Sequence, residues 1–293
     1  MGQLRWLRVL HDCCAMMKRE ADSALLRMKN SLHAALLADK ERNENARRCQ
    51  DDDPDRCIEG CTSLIQSGEE PNNNLSRAFN NRGLALGLRG ELDRAIRDFD
   101  QALKLNPNYA EALRNRGEAY RLKDLYDLAI QDYDRALRLE PDHARAFNGR
   151  GNAHESNGDL HRAIRDYKQA VRLNPDYDSA LNNLAWLYAT AADRTLRNPA
   201  KALECALRAV ALNGANNADD LDTLAEAYFI NRDYLNAIMT EKKAVALQPD
   251  SAIREEFEQS LAKYEQAYEL AQDKVDLRQK GWTMPQHESQ LSI

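Results

Sequence analysis

SRAFNNRGLALGLRGELDRAIRDFDQALKLNPNY, residues 76–109, is followed without a gap by AEALRNRGEAYRLKDLYDLAIQDYDRALRLEPDH at 110–143 and by ARAFNGRGNAHESNGDLHRAIRDYKQAVRLNPDY at 144–177. The copies are equal in length, so Gly83, Gly117 and Gly151 recur at one constant spacing, as do Pro107, Pro141 and Pro175. A period in this range marks a solenoid, because one such unit cannot bury its apolar face without a neighbour. Small residues at Gly83, Ala95 and Ala102 allow two helix axes to approach, and Phe79 and Phe99 fill the space beside them. Pro107 stops the second helix, since it has no N–H to donate and restricts the residue before it.

Composition agrees with a helical array: of 293 residues, 30% are charged and 6% aromatic, with 12 Gly and 8 Pro. The net charge of -6 is unevenly placed, with residues 76–177 slightly basic and both flanks acidic. That balance is too weak for a surface that tracks phosphates, so nucleic acid is disfavoured as a partner. No uninterrupted apolar window is long enough for a helix to cross a bilayer, which argues against a membrane span. Arg5, Arg8, His11, Asp12 and Lys18 break up the N-terminal stretch before an export signal could form, and Trp6 stands where a myristoylation signal wants Ser or Thr. The expected location is therefore cytoplasmic.

Residues 1–50 form an N-terminal amphipathic segment. Leu7, Leu10, Cys14, Met17, Ala21, Leu25, Met28, Leu32 and Ala35 recur at steps of three and four, so one long helix is expected over 4–48. Its stripe either packs on the first repeat as a cap or serves as a coiled-coil or partner-binding face. Residues 51–75 read as a degenerate half-repeat and loop, with a short helix from about Asp55 to Gln66, ended by Gly68, and GEEPNNN as loop. In repeat register Cys57, Cys61 and Leu64 replace the apolar residues of a second helix.

The residues from Ser76 onward resemble the tetratricopeptide repeat family. Its pattern is met by Phe79, Gly83, Leu86, Ala95, Phe99 and Pro107; by Leu113, Gly117, Tyr120, Ala129, Tyr133 and Pro141; and by Phe147, Gly151, His154, Ala163, Tyr167 and Pro175. The resemblance extends over 76–250. Residues 178–217 form a fourth copy with five extra residues in ATAADRTLRNP and one more near Asn213-Gly214, and 218–251 a fifth in which Glu241 replaces the second-helix aromatic. Residues 252–280 are a capping helix with Phe257, Leu261 and Tyr264, and 281–293 a tail without periodicity. The resemblance implies an all-α fold: a right-handed α-solenoid of stacked helix-turn-helix units with helical caps at both ends, whose concave face binds peptide or protein.

One charge pair recurs inside this frame. Position 7 is Arg82, Arg116 and Arg150, and position 23 is Asp98, Asp132 and Asp166; copies four and five lose both together, to Leu184 with Cys205 and Leu224 with Thr240. Joint loss indicates a structural bridge in each unit, because stranding one partner costs more than removing both.

By resemblance, the inner face of the first helices carries Arg77, Asn80, Asn81, Leu84 and Leu88; Glu111, Arg114, Asn115, Glu118 and Arg121; and Arg145, Asn148, Asn152 and Glu155. An amide row there could hold an extended backbone, and Arg77, Arg114, Arg121 and Arg145 an acidic group; a solvated polar face is the alternative. Asn80, Leu84 and Gly149 stand where the carboxylate clamp of chaperone-binding members wants Lys, Asn and a basic residue, so a chaperone C-terminus is not expected.

The spacing of Cys49 and Cys61 resembles exported bacterial members in which a disulfide ties the leading segment to the first short helix, which would imply a periplasmic or secreted location. Reduced core thiols, or a metal site with His11, remain the other readings. Scattered histidines and the lack of a phosphate loop, a G-x-S-x-G elbow or an H-E-x-x-H pair leave no catalytic, cofactor or metal site expected, and His154 reads as core. The expected function is a non-enzymatic interaction scaffold. The alternatives are a structural protein that oligomerises through residues 1–50, or a regulatory subunit of a catalytic partner.

Overall fold

The computed structural model describes residues 2–68 and 70–279, with side chains over 25–68 and 70–274. The tail at 281–293 and the side chains of Leu7, Leu10, His11, Cys13, Cys14, Met17 and Ala21 lie outside what it describes. Within the described residues there are thirteen helices and no strand, as the all-α solenoid of helix-turn-helix units requires. None of these helices is long and apolar enough to cross a membrane. The chain forms two compact units, residues 1–119 and 120–293.

The first unit holds α1 (Gly2–Arg48), α2 (Pro54–Ser67), α3 (Asn72–Leu88), α4 (Leu92–Leu105) and most of α5 (Ala110–Arg121). Asp53 caps α2 by accepting the Arg56 N–H at 3.0 Å, Pro54 supplies a helical φ at its first position, and Gly68 ends it at φ +66°. Asn72–Asn74, expected as loop, are helical. Pro71 accepts the Leu75 N–H at 3.0 Å, and the exposed first turn leaves the asparagine side chains free of packing demands, so α3 starts a turn before Ser76. Among the described side chains of α1, those at its end pack: Ala46 and, in the turn after it, Cys49 meet Cys57, Cys61 and Leu64 of α2 and Ala78 of α3. Capping of the first repeat therefore falls to α2 and this last turn, while Leu25, Met28 and Leu32 remain exposed.

The second unit holds α6 (Tyr126–Leu139), α7 (Ala144–Ser156), α8 (Leu160–Leu173), α9 (Asp178–Thr190), α10 (Pro199–Asn213), α11 (Ala218–Ile230), α12 (Tyr234–Leu247) and α13 (Ser251–Gln279). The extra residues of the fourth copy sit between α9 and α10. There Arg197 Nε donates to the Ala191 carbonyl at 2.6 Å, and Asn198 caps α10 through the Lys201 N–H at 3.1 Å. α13 covers the open end of the fifth copy: Phe257 packs with Leu221 and Ala244, and Tyr264 with Ala225 and Ala237.

In the three equal copies the aromatic residue of the second helix is the hub of its pair. Phe99, Tyr133 and Tyr167 are buried, and a Cβ placed on Gly83 would lie 2.7 Å from the Phe99 ring. On Gly151 it would lie 2.6 Å from the Tyr167 ring, and on Gly149 2.6 Å from that of Tyr133. The glycines thus mark where a ring lies directly on a helix backbone, a distance that any Cβ would increase. Gly151→Ala is expected to lower unfolding stability in urea by about 1–3 kcal/mol through overpacking, with partial recovery in the Gly151→Ala, Tyr167→Leu double variant. A neutral Gly151→Ala variant would refute this constraint.

Candidate binding face

Arg82 donates through Nε and Nη2 to both oxygens of Asp98, at 2.7 and 2.8 Å, and Arg150 does the same to Asp166 at 2.8 and 2.6 Å. Both aspartates are buried, so these forks lie in low dielectric, where charge-assisted bidentate bonds are strongest. Each arginine also has a third partner: Arg82 Nη1 reaches Thr62 of α2 at 3.1 Å, and Arg150 Nη1 reaches Asp134 of the preceding copy at 2.6 Å. Arg116, in the first unit, likewise reaches back to Asp100 at 2.6 Å, while Asp132 is buried in the second. Asp100 and Asp134 join the brace unforeseen, although the sequence carries a signal for them. Position 25 is aspartate in the two copies followed by an arginine-bearing copy, and becomes Lys168 in the one followed by Leu184.

The asparagines of the first helices divide into two groups. Asn80, Asn115 and Asn148 are buried, and they bond along the array rather than outward. Asn115 Nδ2 donates to Asn80 Oδ1 at 3.0 Å, and Asn183 Nδ2 to Asn148 Oδ1 at 3.2 Å and Asn152 Oδ1 at 2.9 Å. Asn81, partly exposed, donates to the Cys49 carbonyl at 3.0 Å. The amide at position 6 thus reaches back to the preceding segment, and Asn183 joins the set unforeseen. Asn152 also accepts the Tyr167 hydroxyl at 2.8 Å, and Glu155 accepts it at 2.5 Å; burial holds that glutamate above its ordinary range. A buried amide needs a partner, and a neighbouring repeat offers the same amide one register away. The expected row of outward-facing asparagines is therefore corrected to an internal ladder for the buried three.

Exposed side chains on this face include cationic and aliphatic groups together with the Glu111 carboxylate. Arg77, Leu84, Leu88 and Arg145 are exposed; Arg114, Glu118 and Arg121 are half-buried. Arg114 leaves its Nε hydrogen without an acceptor, and its nearest carboxylate, Glu111, lies 3.9 Å from Nη2. The Tyr109 phenol, pushed up to about 12 chiefly by burial, is close enough to Arg77 and Arg114 for both to pull it back down.

Comparison with known proteins agrees with this geometry. The family model for the tetratricopeptide repeat matches residues 76–109, 110–143 and 144–177. Residues 76–177 are tetratricopeptide repeats. The chain also resembles the solved structure of PilF from Pseudomonas aeruginosa, at 20% identity and TM-score 0.55 over 67% of this chain and 90% of that one. It is similar to MamA, residue 41 to the end, from Desulfovibrio magneticus RS-1, at 23% identity and TM-score 0.51 over 61% of this chain and 96% of that one. At these identities the likeness is one of fold. A search of curated protein sequences returns no match.

Ahead of the first tetratricopeptide repeat, the Cys49 and Cys61 sulfurs lie 2.04 Å apart, a bonding distance. Cys57 is a buried free thiol 3.9 Å from the Cys61 sulfur, and burial together with the nearby Asp51 carboxylate pushes it up. His154 is buried 3.9 Å from Asp166 and is held down by burial, as a core histidine should be. Among the described residues no group of three or more His, Cys, Asp or Glu side chains is placed to hold a metal.

A second buried polar site, not foreseen, lies in the fifth helix pair. Glu241, at the position where the tetratricopeptide repeats carry the second-helix aromatic, is fully buried, and among the described residues no amide, ammonium or hydroxyl donor reaches either of its oxygens. It faces Asp222, so the pair is satisfied only when one carboxyl holds a proton. Burial, then Asp222, pushes Glu241 up to about 8, and burial, then Glu226, pushes Asp222 up to about 6. Glu226 is held apart by Lys263 and the Tyr264 hydroxyl of α13, each at 2.7 Å.

Arg150→Leu should cost about 3 kcal/mol by stranding Asp166, whereas adding Asp166→Thr should recover most of the loss; equal losses in single and double variants would remove the brace. For Glu241 and Asp222, folded values above the unfolded ones mean that the native state binds extra protons between the ordinary carboxylate range and about pH 8. Stability should therefore fall as pH rises through that window, with a slope of up to about 1.4 kcal/mol per unit for one proton. Protection of α12 and α13 amides from exchange reads this directly, and Glu241→Gln should flatten the slope.

Proposed function

We propose that this protein is a non-enzymatic scaffold that holds a peptide or protein segment on the inner face of its first helices. The carrying observation is Arg114: its Nε–H is buried with no acceptor among the described residues, near exposed Arg77, a donor that a carboxylate or carbonyl of a bound segment would satisfy once the half-buried side chain turns toward it. In the second unit Arg145 is exposed on the same helical face of its repeat. The amide ladder beneath these groups holds the helices in register, so little ordering is needed on binding. The half-buried Asn81 and Asn152 contribute through their remaining hydrogen-bonding capacity, together with Leu84, Glu118 and Arg121.

A second reading has its own support. Leu25, Met28, Leu32 and Leu36 are all more than half exposed on α1 and recur at steps of three and four, the pattern of a helix that pairs with a second copy.

A photo-crosslinking residue placed singly at Arg77, Arg114, Arg145 and Leu32, and at the outward Arg97 and Arg165, tests both readings in the source cell. Groove binding expects crosslinks to another protein from the first three positions and little from Arg97 or Arg165. Crosslinks from position 32 to the same chain, with none from the inner positions, would replace it with self-assembly. Equal labelling from inner and outer positions would defeat the groove.

A further inference from the structure

We propose that the corner between the α1–α2 turn and α3 is a docking pocket for a partner segment that carries a large apolar side chain next to a lysine or arginine. This rests on the reading of α3 as part of a binding face, and it names the chemistry selected there.

The pocket has a volume of about 280 Å³, with Leu84, Ala85 and Leu88 of α3 on one side and Pro54 of α2 on another. Leu84 is 44% and Leu88 71% exposed. They are one helical turn apart and so share a face. Two adjacent leucines left in water inside a concavity form an apolar seat that no described residue of the unit covers. The volume is near the lower bound of small-molecule sites, roughly 300 Å³, and suits one or two side chains of a peptide.

The rim of the same pocket is acidic. Asp51 and Asp52 both line it. Asp51 accepts the Asp53 N–H at 3.0 Å and lies 3.6 Å from Arg56. Asp52 is exposed and makes no hydrogen bond or ion pair among the described residues. A carboxylate without a partner beside an apolar seat favours a cation on the incoming segment and disfavours an acidic one, which gives the pocket its selectivity.

The walls are set before any ligand arrives. The Cys49–Cys61 bond ties the end of α1 to α2, Asn81 donates to the Cys49 carbonyl at 3.0 Å, and the Cys57 thiol reaches that carbonyl at 3.4 Å. Three contacts thus converge on one turn, and the seat does not have to form on binding.

The test uses the full chain and labelled peptides read by fluorescence anisotropy. The peptide GSLKLRSG should bind at least tenfold tighter than GSLELESG, which reverses the charge, and than GSSKSRSG, which removes the leucines. Asp52→Lys, and the Leu84→Ser, Leu88→Ser double variant, should each weaken GSLKLRSG at least tenfold, while Asp142→Lys, an exposed residue that does not line the pocket, should not. All substituted side chains are exposed; if the double variant loses its helical circular dichroism, Asp52→Lys decides alone. No binding of GSLKLRSG, equal binding of GSLELESG, or equal weakening by Asp52→Lys and Asp142→Lys would overturn the proposal. Crosslinks at Arg114 and Arg145 that persist while the peptide fails would remove the pocket and leave the binding face intact; loss of those crosslinks would remove the face itself.

Discussion

The repeated pairs depend on an aromatic ring lying against a bare stretch of helix backbone. Phe99 on Gly83 and Tyr167 on Gly151 bring two helices closer than any side chain between them would allow. The alanines at Ala95, Ala129 and Ala163, all without exposed surface, extend that close approach along the second helix. The ring is absent from the fourth pair, where Ala206 stands at that position, and from the fifth, where other groups keep the geometry. Glu241 occupies the space, Asp222 faces it, and α13 brings Tyr264 and Lys263 to hold the neighbouring Glu226.

Helices this close bury polar groups that must then find partners, and the array meets that demand by repeating the solution. The arginine at position 7 forks onto an aspartate of its own pair and extends its remaining nitrogen to the segment before it, whether Thr62 or Asp134. Position 6 amides do the same through Asn81, Asn115 and Asn183. Both devices connect neighbours as well as halves of one unit. Stability is then a sum over adjacent contacts, and the side chains left outside that sum are the ones available to a ligand.

Much of this is legible from spacing. The helix pairs, the packing glycines and the Arg82–Asp98 and Arg150–Asp166 forks follow from positions that recur or are lost together. The third partner at position 25 is readable by the same logic, since Asp100 and Asp134 give way to Lys168 where the next arginine disappears. Asn80, Asn115 and Asn148 read as outward-facing in the sequence because helical periodicity places a residue on a face without saying what approaches that face from the next helix. The helical start at Asn72–Asn74 is hidden by composition, for asparagine is common in turns and also tolerated in an exposed first turn.

The constant period, the small and aromatic positions and the prolines suffice to specify a chain folded as stacked helix pairs, because each of those residues acts through local sterics or close packing at a fixed offset. Which polar groups of the first helices are consumed internally is settled only once the helices are assembled. The same holds for the buried carboxyl pair of Asp222 and Glu241, and for the joining of Asp52 with Leu84 and Leu88 around one pocket. Those outcomes depend on distances between side chains far apart in sequence, and on burial, neither of which a repeat pattern encodes.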